Sequence, residues 1–245
     1  MNVAEKLIKI ADNVQKNVEF GKSQGGGGDG FWDAFMNMKS FSYAFYNWDT
    51  DVFKPNKELM FKGDCSRAFY YFNSDKTETV DMIEHLKKCG ASLNFSNTTG
   101  SLTFIFGSSK ISALPTLDFS KATKLESCFN NAPIETIEKI ILKADGSQTF
   151  TNLTFQCRAS ATSPFTLRNI AFEGVIGNDI WFDVCPNLTA ESYHSIMTHL
   201  STTATGVTIT FTAYETVKAT YDAKYGEGAW DILAASKTNW TIAYS

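Results

Sequence analysis

Little in this chain of 245 residues is equipped for catalysis or for holding a metal: it has three histidines and five cysteines, and no two cysteines form a Cys-x-x-Cys pair. His194 and His199 are five positions apart, so they miss the i, i+4 spacing that puts two imidazoles on one helix face, and no glutamate completes a His-Glu-x-x-His motif. His85 lies among charged residues, where a solvated role suits it. No Gly-x-Ser-x-Gly elbow occurs. Gly21-Lys22-Ser23 resembles the end of a phosphate loop, but such a loop needs its glycines before the lysine, and here they follow at Gly25 to Gly28. Asp49 and Asp51 could serve calcium or a glycosidase pair. With no Asp-x-Asp-x-Asp-Gly loop around them, they read as turn residues. The chain is expected to be no enzyme and to have no catalytic residue, no metal ligand and no cofactor.

Other absences narrow the class further. The opening Met1-Asn2-Val3-Ala4-Glu5-Lys6-Leu7-Ile8-Lys9-Ile10 alternates charged and apolar residues and lacks the unbroken apolar core of a secretion signal. No run is apolar enough to span a membrane. Net charge is −4, with no cluster of Lys and Arg to grip phosphates, so nucleic acid is not an expected partner. Cys65, Cys89, Cys128, Cys157 and Cys185 are widely spaced and odd in number, which suits buried reduced thiols.

What the chain does have is apolar and aromatic mass: 43% hydrophobic residues and 20 phenylalanines. Residues 1–20 read as an amphipathic helix, with Val3, Leu7, Ile10, Val14 and Asn17 stepping by 4, 3, 4 and 3 as a heptad seam does. Such a short helix is marginal alone, so the seam suits self-association or packing on a neighbouring surface. Residues 21–30 are a Gly-rich linker. Residues 31–58 carry Phe31, Trp32, Phe35, Phe41, Tyr43, Phe45, Tyr46, Trp48 and Phe53, a density suited to a cap over one end of a repeat domain, or to an aromatic ligand surface.

Residues 59–200 hold a repeat. Leu93-Asn94-Phe95-Ser96 leads to Leu102, Phe106, Ile111 and Leu114; Leu117-Asp118-Phe119-Ser120 leads to Leu125, Phe129, Ile134 and Ile137. One deleted residue brings the two units into register. Starts at Leu93, Leu117 and Leu142 fall 24 and 25 residues apart, within the range of leucine-rich repeats. Weaker units fit at Leu59, Phe61, Ala68 and Phe72, with a helix carrying Val80, Ile83 and Leu86. Another fits at Ile170, Phe172, Ile180 and Val184, with a helix carrying Tyr193, Ile196, Met197 and Leu200. The predicted repeat core is Leu93, Phe95, Leu102, Phe106, Leu117, Phe119, Leu125 and Phe129. In residues 201–245, a strand over 207–211, helices beyond Tyr214 and a strand over 240–244 read as a terminal cap. The expected fold class is α/β: a leucine-rich-repeat-like solenoid with an N-terminal amphipathic helix and an α/β C-terminal cap.

The stretch from Leu114 to Leu125, with Phe129-Asn130-Asn131 after it, resembles the BspA-type leucine-rich repeats of bacterial surface proteins. Ala132 stands where the family usually has Cys, and Cys128 where it has Met. The N-terminal helix, Phe31-Trp32-Asp33, Tyr43-Ala44-Phe45, Phe53-Lys54-Pro55, Pro186-Asn187-Leu188-Thr189 and Asn239-Trp240-Thr241 are similar to phage-encoded proteins carrying such repeats. The resemblance implies a non-enzymatic structural or adhesive component of a bacteriophage virion, in a tail, baseplate or surface appendage. The modular order of heptad seam, linker, aromatic cap, repeats and end cap points to a homo-oligomer, with a trimer first in line, and the expected partners are other virion proteins and a host-surface glycan or protein. The alternatives are a bacterial surface or host-interaction adhesin and a glycan-cleaving phage depolymerase, which would need two acids about 5–9 Å apart.

Overall fold

The computed structural model describes residues 41–245. The seam Val3, Leu7, Ile10, Val14 and Asn17, the 21–30 linker and residues 31–40 of the aromatic segment lie outside the described residues. Within them the protein is a mixed α/β structure with mostly parallel strands, few helices and no closed barrel.

The strands are β1 (Glu58–Gly63), β2 (Val80–Asp81), β3 (Ser92–Thr98), β4 (Gly100–Thr103), β5 (Ile111–Leu114), β6 (Leu117–Asp118), β7 (Ala122–Glu126), β8 (Thr136–Ile141), β9 (Thr149–Phe150), β10 (Asn169–Glu173), β11 (Ile180–Phe182), β12 (Val207–Phe211) and β13 (Trp240–Tyr244). Four helices interrupt them: α1 (Met82–Cys89), α2 (Ala190–Thr198), α3 (Tyr214–Tyr225) and α4 (Ala229–Ala235). Every pairing between these strands is parallel, and each joins residues 22 to 35 positions apart in sequence.

The pairings fall into parallel lines. In one, a two-stranded sheet, Leu59 of β1 lies opposite Leu93 of β3, while β6 pairs with β8, Leu117 opposite Ile140, in the sheet given next. In a second, β2, β5, β8 and β10 pair in that order, with Leu114 opposite Ile137 and Ile137 opposite Ile170. In a third, Leu102 of β4 faces Leu125 of β7, which faces Phe150 of β9. Each segment takes its backbone partners from the next, as buried N–H and C=O groups require. The predicted core residues are all buried: Leu93 is 7% exposed, and Phe95, Leu102, Phe106, Leu117, Phe119, Leu125 and Phe129 are 0% exposed.

A column of phenylalanines runs through this interior. Phe45, Phe69, Phe106, Phe129, Phe155, Phe182 and Phe211 neighbour one another with ring centroids 5.0, 5.2, 6.0, 5.8, 4.7 and 6.1 Å apart. From Phe69 onward the successive planes lie within 27° of parallel. Offset rings at such distances add about 0.5–1.5 kcal/mol per pair to the burial itself. Two expected units shift. Leu117 is aligned with Ile140, not Leu142, because Leu142 lies on the same strand face two residues on, and period two cannot separate them. Phe69, not Phe72, joins the ring column. Helix α1 lengthens that unit to 37 residues between Phe69 and Phe106, against 23 between Phe106 and Phe129, and the longer spacing hides the frame.

Local chemistry explains the unit heads. In Asn94-Phe95-Ser96, Asp118-Phe119-Ser120, Asp64-Cys65-Ser66 and Asp145-Gly146-Ser147, the first side chain accepts the serine N–H at 2.8–3.0 Å, an Asx motif that bends the chain at the ends of β1 and β6 and beyond β8, and falls within β3 where its register with β1 shifts. Amide side chains then bracket turns. Gln148 donates to the Phe119 and Ala122 carbonyls, Asn178 to those of Gly146 and Gln148, and Asn239 to those of Ser201 and Ala204. Helix α1 begins at β2: Asp81 caps Glu84 N–H, Gly90 closes the helix at φ +69, and Met82 and Leu86 point inward. Val80, expected in that helix, is the strand residue before it.

The ends are closed in different ways. Strand β10 would expose N–H groups on its outer edge, but Ser192 and Ser195 of α2 accept those of Ile170 and Phe172, each at 2.9 Å. Beyond it, β11, β12 and β13 form a three-stranded parallel sheet. Trp230 of α4, fully buried, meets Phe211, the last ring of the column, at 5.6 Å and donates its indole N–H to Tyr244.

Candidate ligand-binding face

The segments that carry the phenylalanine column are turns stacked by backbone bonds, and their outward side chains form the most distinctive surface. Tyr43 N–H donates to Ser66 O, Arg67 N–H to Thr103 O and Phe104 N–H to Glu126 O. Four residues on, Asn47 donates to Tyr70 O, Tyr71 to Gly107 O and Ser108 to Asn130 O. The same positions therefore recur rung by rung: Tyr43, Arg67, Phe104, Ser127 and, four residues later, Asn47, Tyr71, Ser108, Asn131. All eight are non-glycine residues at φ between +51° and +59°. Left-handed backbone costs of order 1 kcal/mol at such residues and persists only where the surroundings impose it. Here the bonds to the next rung hold the bend.

The bend sorts the aromatic rings. Phe45, Phe69 and Phe106 turn inward, while Tyr43, Tyr46, Arg67, Tyr70, Tyr71 and Phe104 face outward, half-buried or, for Tyr71, 39% exposed. Tyr46 stacks on Tyr70 at 6.1 Å, and Tyr71 stands edge-on to Tyr70 at 4.4 Å. The Arg67 guanidinium lies 5.4 Å from the Tyr43 ring centre, 5.9 Å from Tyr70 and 5.7 Å from Phe104, and donates to the Tyr43 hydroxyl at 2.6 Å. Gly107 occupies the place after Tyr46 and Tyr70. A Cβ there would sit 2.7 Å from Phe104 Cδ1 and 3.3 Å from Tyr70 Cδ2, so glycine makes room for those two rings. Asn47 and Ser108 flank the rings, and the Asn47 side-chain carbonyl accepts from Ser74 at 2.8 Å. Interaction with the Tyr70 hydroxyl, first through hydrogen bonding and then through like charge, holds the Tyr71 hydroxyl above the ordinary tyrosine range. It stays a neutral donor at physiological pH.

Two clefts lie elsewhere. One of about 430 Å³ is lined by Asp51, Asn73, Lys76, Glu84, His85 and Lys88, among others. There Lys76 bridges Asp49 at 3.2 Å and Asp51 at 2.6 Å, and His85 Nε2 lies 2.6 Å from the Phe53 carbonyl oxygen. The Lys76 bond lowers the Asp51 carboxyl further. The other, of about 320 Å³, includes Asp145, Gly174 and His199. His199 Nδ1 lies 2.7 Å from Ser195 O, while His194 Nδ1 lies 2.8 Å from the Tyr221 hydroxyl, so the two histidines serve different neighbours.

Among the described residues no three of His, Cys, Asp and Glu are grouped to hold a metal, and no helix is long and apolar enough to cross a membrane. All five cysteines are free, and burial raises the thiols of Cys65, Cys128, Cys157 and Cys185 far above their usual range, which keeps them protonated.

Sequence reasoning noticed aromatics up to Phe53 but missed Arg67, Tyr70, Tyr71 and Phe104 as their neighbours. The available signal was the pairing of Tyr with the inward Phe positions in successive units, Tyr46 after Phe45 and Tyr70 after Phe69. Compared with protein-family models, with curated proteins and with solved structures, the chain matches none.

Proposed function

We propose that the protein is a non-enzymatic structural or adhesive component of a bacteriophage particle, a tail, baseplate or surface appendage. In this reading it is a leucine-rich-repeat-like solenoid of the BspA type that presents the Tyr–Arg face as its binding surface. The solenoid reading draws on the all-parallel pairing and on the ring column from Phe45 to Phe211, since units that each bury one side against the next give that pattern. The single observation that carries a binding role is the outward cluster of Tyr43, Tyr70 and Phe104 around the Arg67 cation, with Tyr46 and Tyr71 packed beside Tyr70. Half-exposed aromatics with an arginine are the composition of binding hot spots.

The protein works as a homo-oligomer, a trimer, assembled through Val3, Leu7, Ile10, Val14 and Asn17. Several copies of a weak face then gain avidity. Antibody against the purified chain should label particles induced from the bacterium whose DNA encodes it; unlabelled particles would overturn the virion assignment. Full-length protein carrying Leu7→Asp and Ile10→Asp should sediment as a smaller species than the unaltered chain, and an unchanged oligomer would remove the seam from the proposal.

A further inference from the structure

We propose that the outward face of Tyr43, Tyr46, Arg67, Tyr70, Tyr71 and Phe104 binds an acidic saccharide, with sugar rings stacked on the tyrosines and a sugar carboxylate on Arg67. This rests on the reading of that face as a binding surface and names its ligand class.

The backbone argues against a peptide that binds as an added strand. Beneath the face, the N–H groups of Asn47 and Tyr71 already donate to Tyr70 O and Gly107 O. Strand addition needs free main-chain groups, and these are taken. What points outward is side-chain chemistry: flat rings, phenolic hydroxyls, the Ser108 hydroxyl and the Asn47 amide, whose carbonyl oxygen is taken by Ser74 and whose nitrogen is left to donate. Pyranose rings match that set, because each has an apolar C–H face for stacking and a rim of hydroxyls for hydrogen bonds. The rings are also ordered in advance. Tyr71 is braced by Tyr70 at 4.4 Å and Tyr46 at 5.9 Å, and tyrosine has few rotatable bonds to immobilise.

The acidic preference comes from Arg67. Among the described residues it has no carboxylate partner, and its guanidinium donates to the Tyr43 hydroxyl. Nearby acids are engaged, Glu126 by Lys124 at 3.2 Å and Asp64 by the Ser66 N–H and the Ser42 hydroxyl. A half-buried guanidinium walled by three rings is partly desolvated, so a carboxylate meeting its planar fork gains more than it would on open surface. With the whole chain at net −4, that attraction is local to the face.

The test uses the full-length protein and isothermal titration against polygalacturonate, polysialic acid, carboxyl-reduced polygalacturonate, dextran and polyglutamate. At least one of the two acidic polysaccharides should bind, and the carboxyl-reduced polymer should bind at least about tenfold more weakly. Tyr71→Ala, an exposed change that leaves the fold intact, should weaken acidic binding by a similar factor. Arg67→Lys keeps the charge but loses the fork, and should weaken only the acidic ligands. Equal binding of dextran or of the carboxyl-reduced polymer would overturn the acidic assignment, and polyglutamate binding as tightly as the polysaccharides would overturn the saccharide. Binding of neither acidic polysaccharide would overturn the inference. If the chain then still adheres to host cells and Tyr71→Ala abolishes that adhesion, the face stands as a binding surface for another ligand. No adhesion at all would defeat both.

Discussion

Removing one ring from the middle of the phenylalanine column is the sharpest probe of how the protein holds together. Phe129 is fully buried, with Phe106 6.0 Å away at 8° on one side and Phe155 5.8 Å away at 27° on the other. Phe129→Ala loses the transfer of a large side chain, about 1.5–3 kcal/mol. It also breaks two ring pairs, about 1–3 kcal/mol together. Relaxation of the neighbours recovers part of this, and measured Phe→Ala losses in cores run at about 3–5 kcal/mol. That is a large share of the roughly 5–15 kcal/mol that holds a domain folded. Urea unfolding followed by tryptophan fluorescence should show the midpoint falling by that free energy divided by the slope, with the slope itself unchanged. Tyr71→Ala, on the exposed face, should cost under about 1 kcal/mol. If Phe129→Ala costs no more than Tyr71→Ala, the column does not carry the stability, and the reasoning built on stacked units fails.

Gly174→Ala should destabilise strongly, by about 2 kcal/mol or more, because a Cβ there lies 2.4 Å from the Leu142 carbonyl oxygen at φ +88. Gly226→Ala, at φ +104 in open space, should shift the melting temperature less. Around α3 and α4, the Trp230 N–H chiefly lowers Asp222 and Lys218 chiefly lowers Asp231, both below the ordinary 3.8. Because the unfolded chain takes up those protons first, their stabilisation is complete above pH 3.8 and is lost as the pH falls below it through the folded values; urea midpoints measured between pH 6 and pH 2 should decline over that window, and Asp231→Asn should flatten it. A thiol reagent should leave Cys128, Cys157 and Cys185 unmodified in the native protein and modify them on unfolding, with the half-buried Cys89 reacting first.

Much of the local structure could be read from residue order. Leucine two positions before phenylalanine in 93–95 marks one face of β3, and Asp118 with serine two places on marks the turn that ends β6. Alternation over 207–211 and 240–244, and the span from Tyr214 to Tyr225, correspond to β12, β13 and α3. Spacing between units was legible only where nothing interrupts it. It failed at α1, which stretches one unit to 37 residues, and at Leu142, which shares a face with Ile140. The binding face was barely legible, because Tyr43, Arg67 and Phe104 are 24 and 37 residues apart and no period in the chain joins them.

By itself, then, the order of residues determined the short-range features: where apolar side chains alternate, where a turn accepts its own N–H, and where a helix starts on Asp81 and stops on Gly90. The tertiary structure alone decided which phenylalanines became neighbours, that Ser192 and Ser195 cover the edge of β10, and that one arginine and five aromatic rings share an outer surface. The reason is physical. Propensity, capping and strand alternation act over a few residues, whereas stacking depends on which backbone N–H meets which carbonyl one rung away, and that register is set by the summed burial of all the units at once.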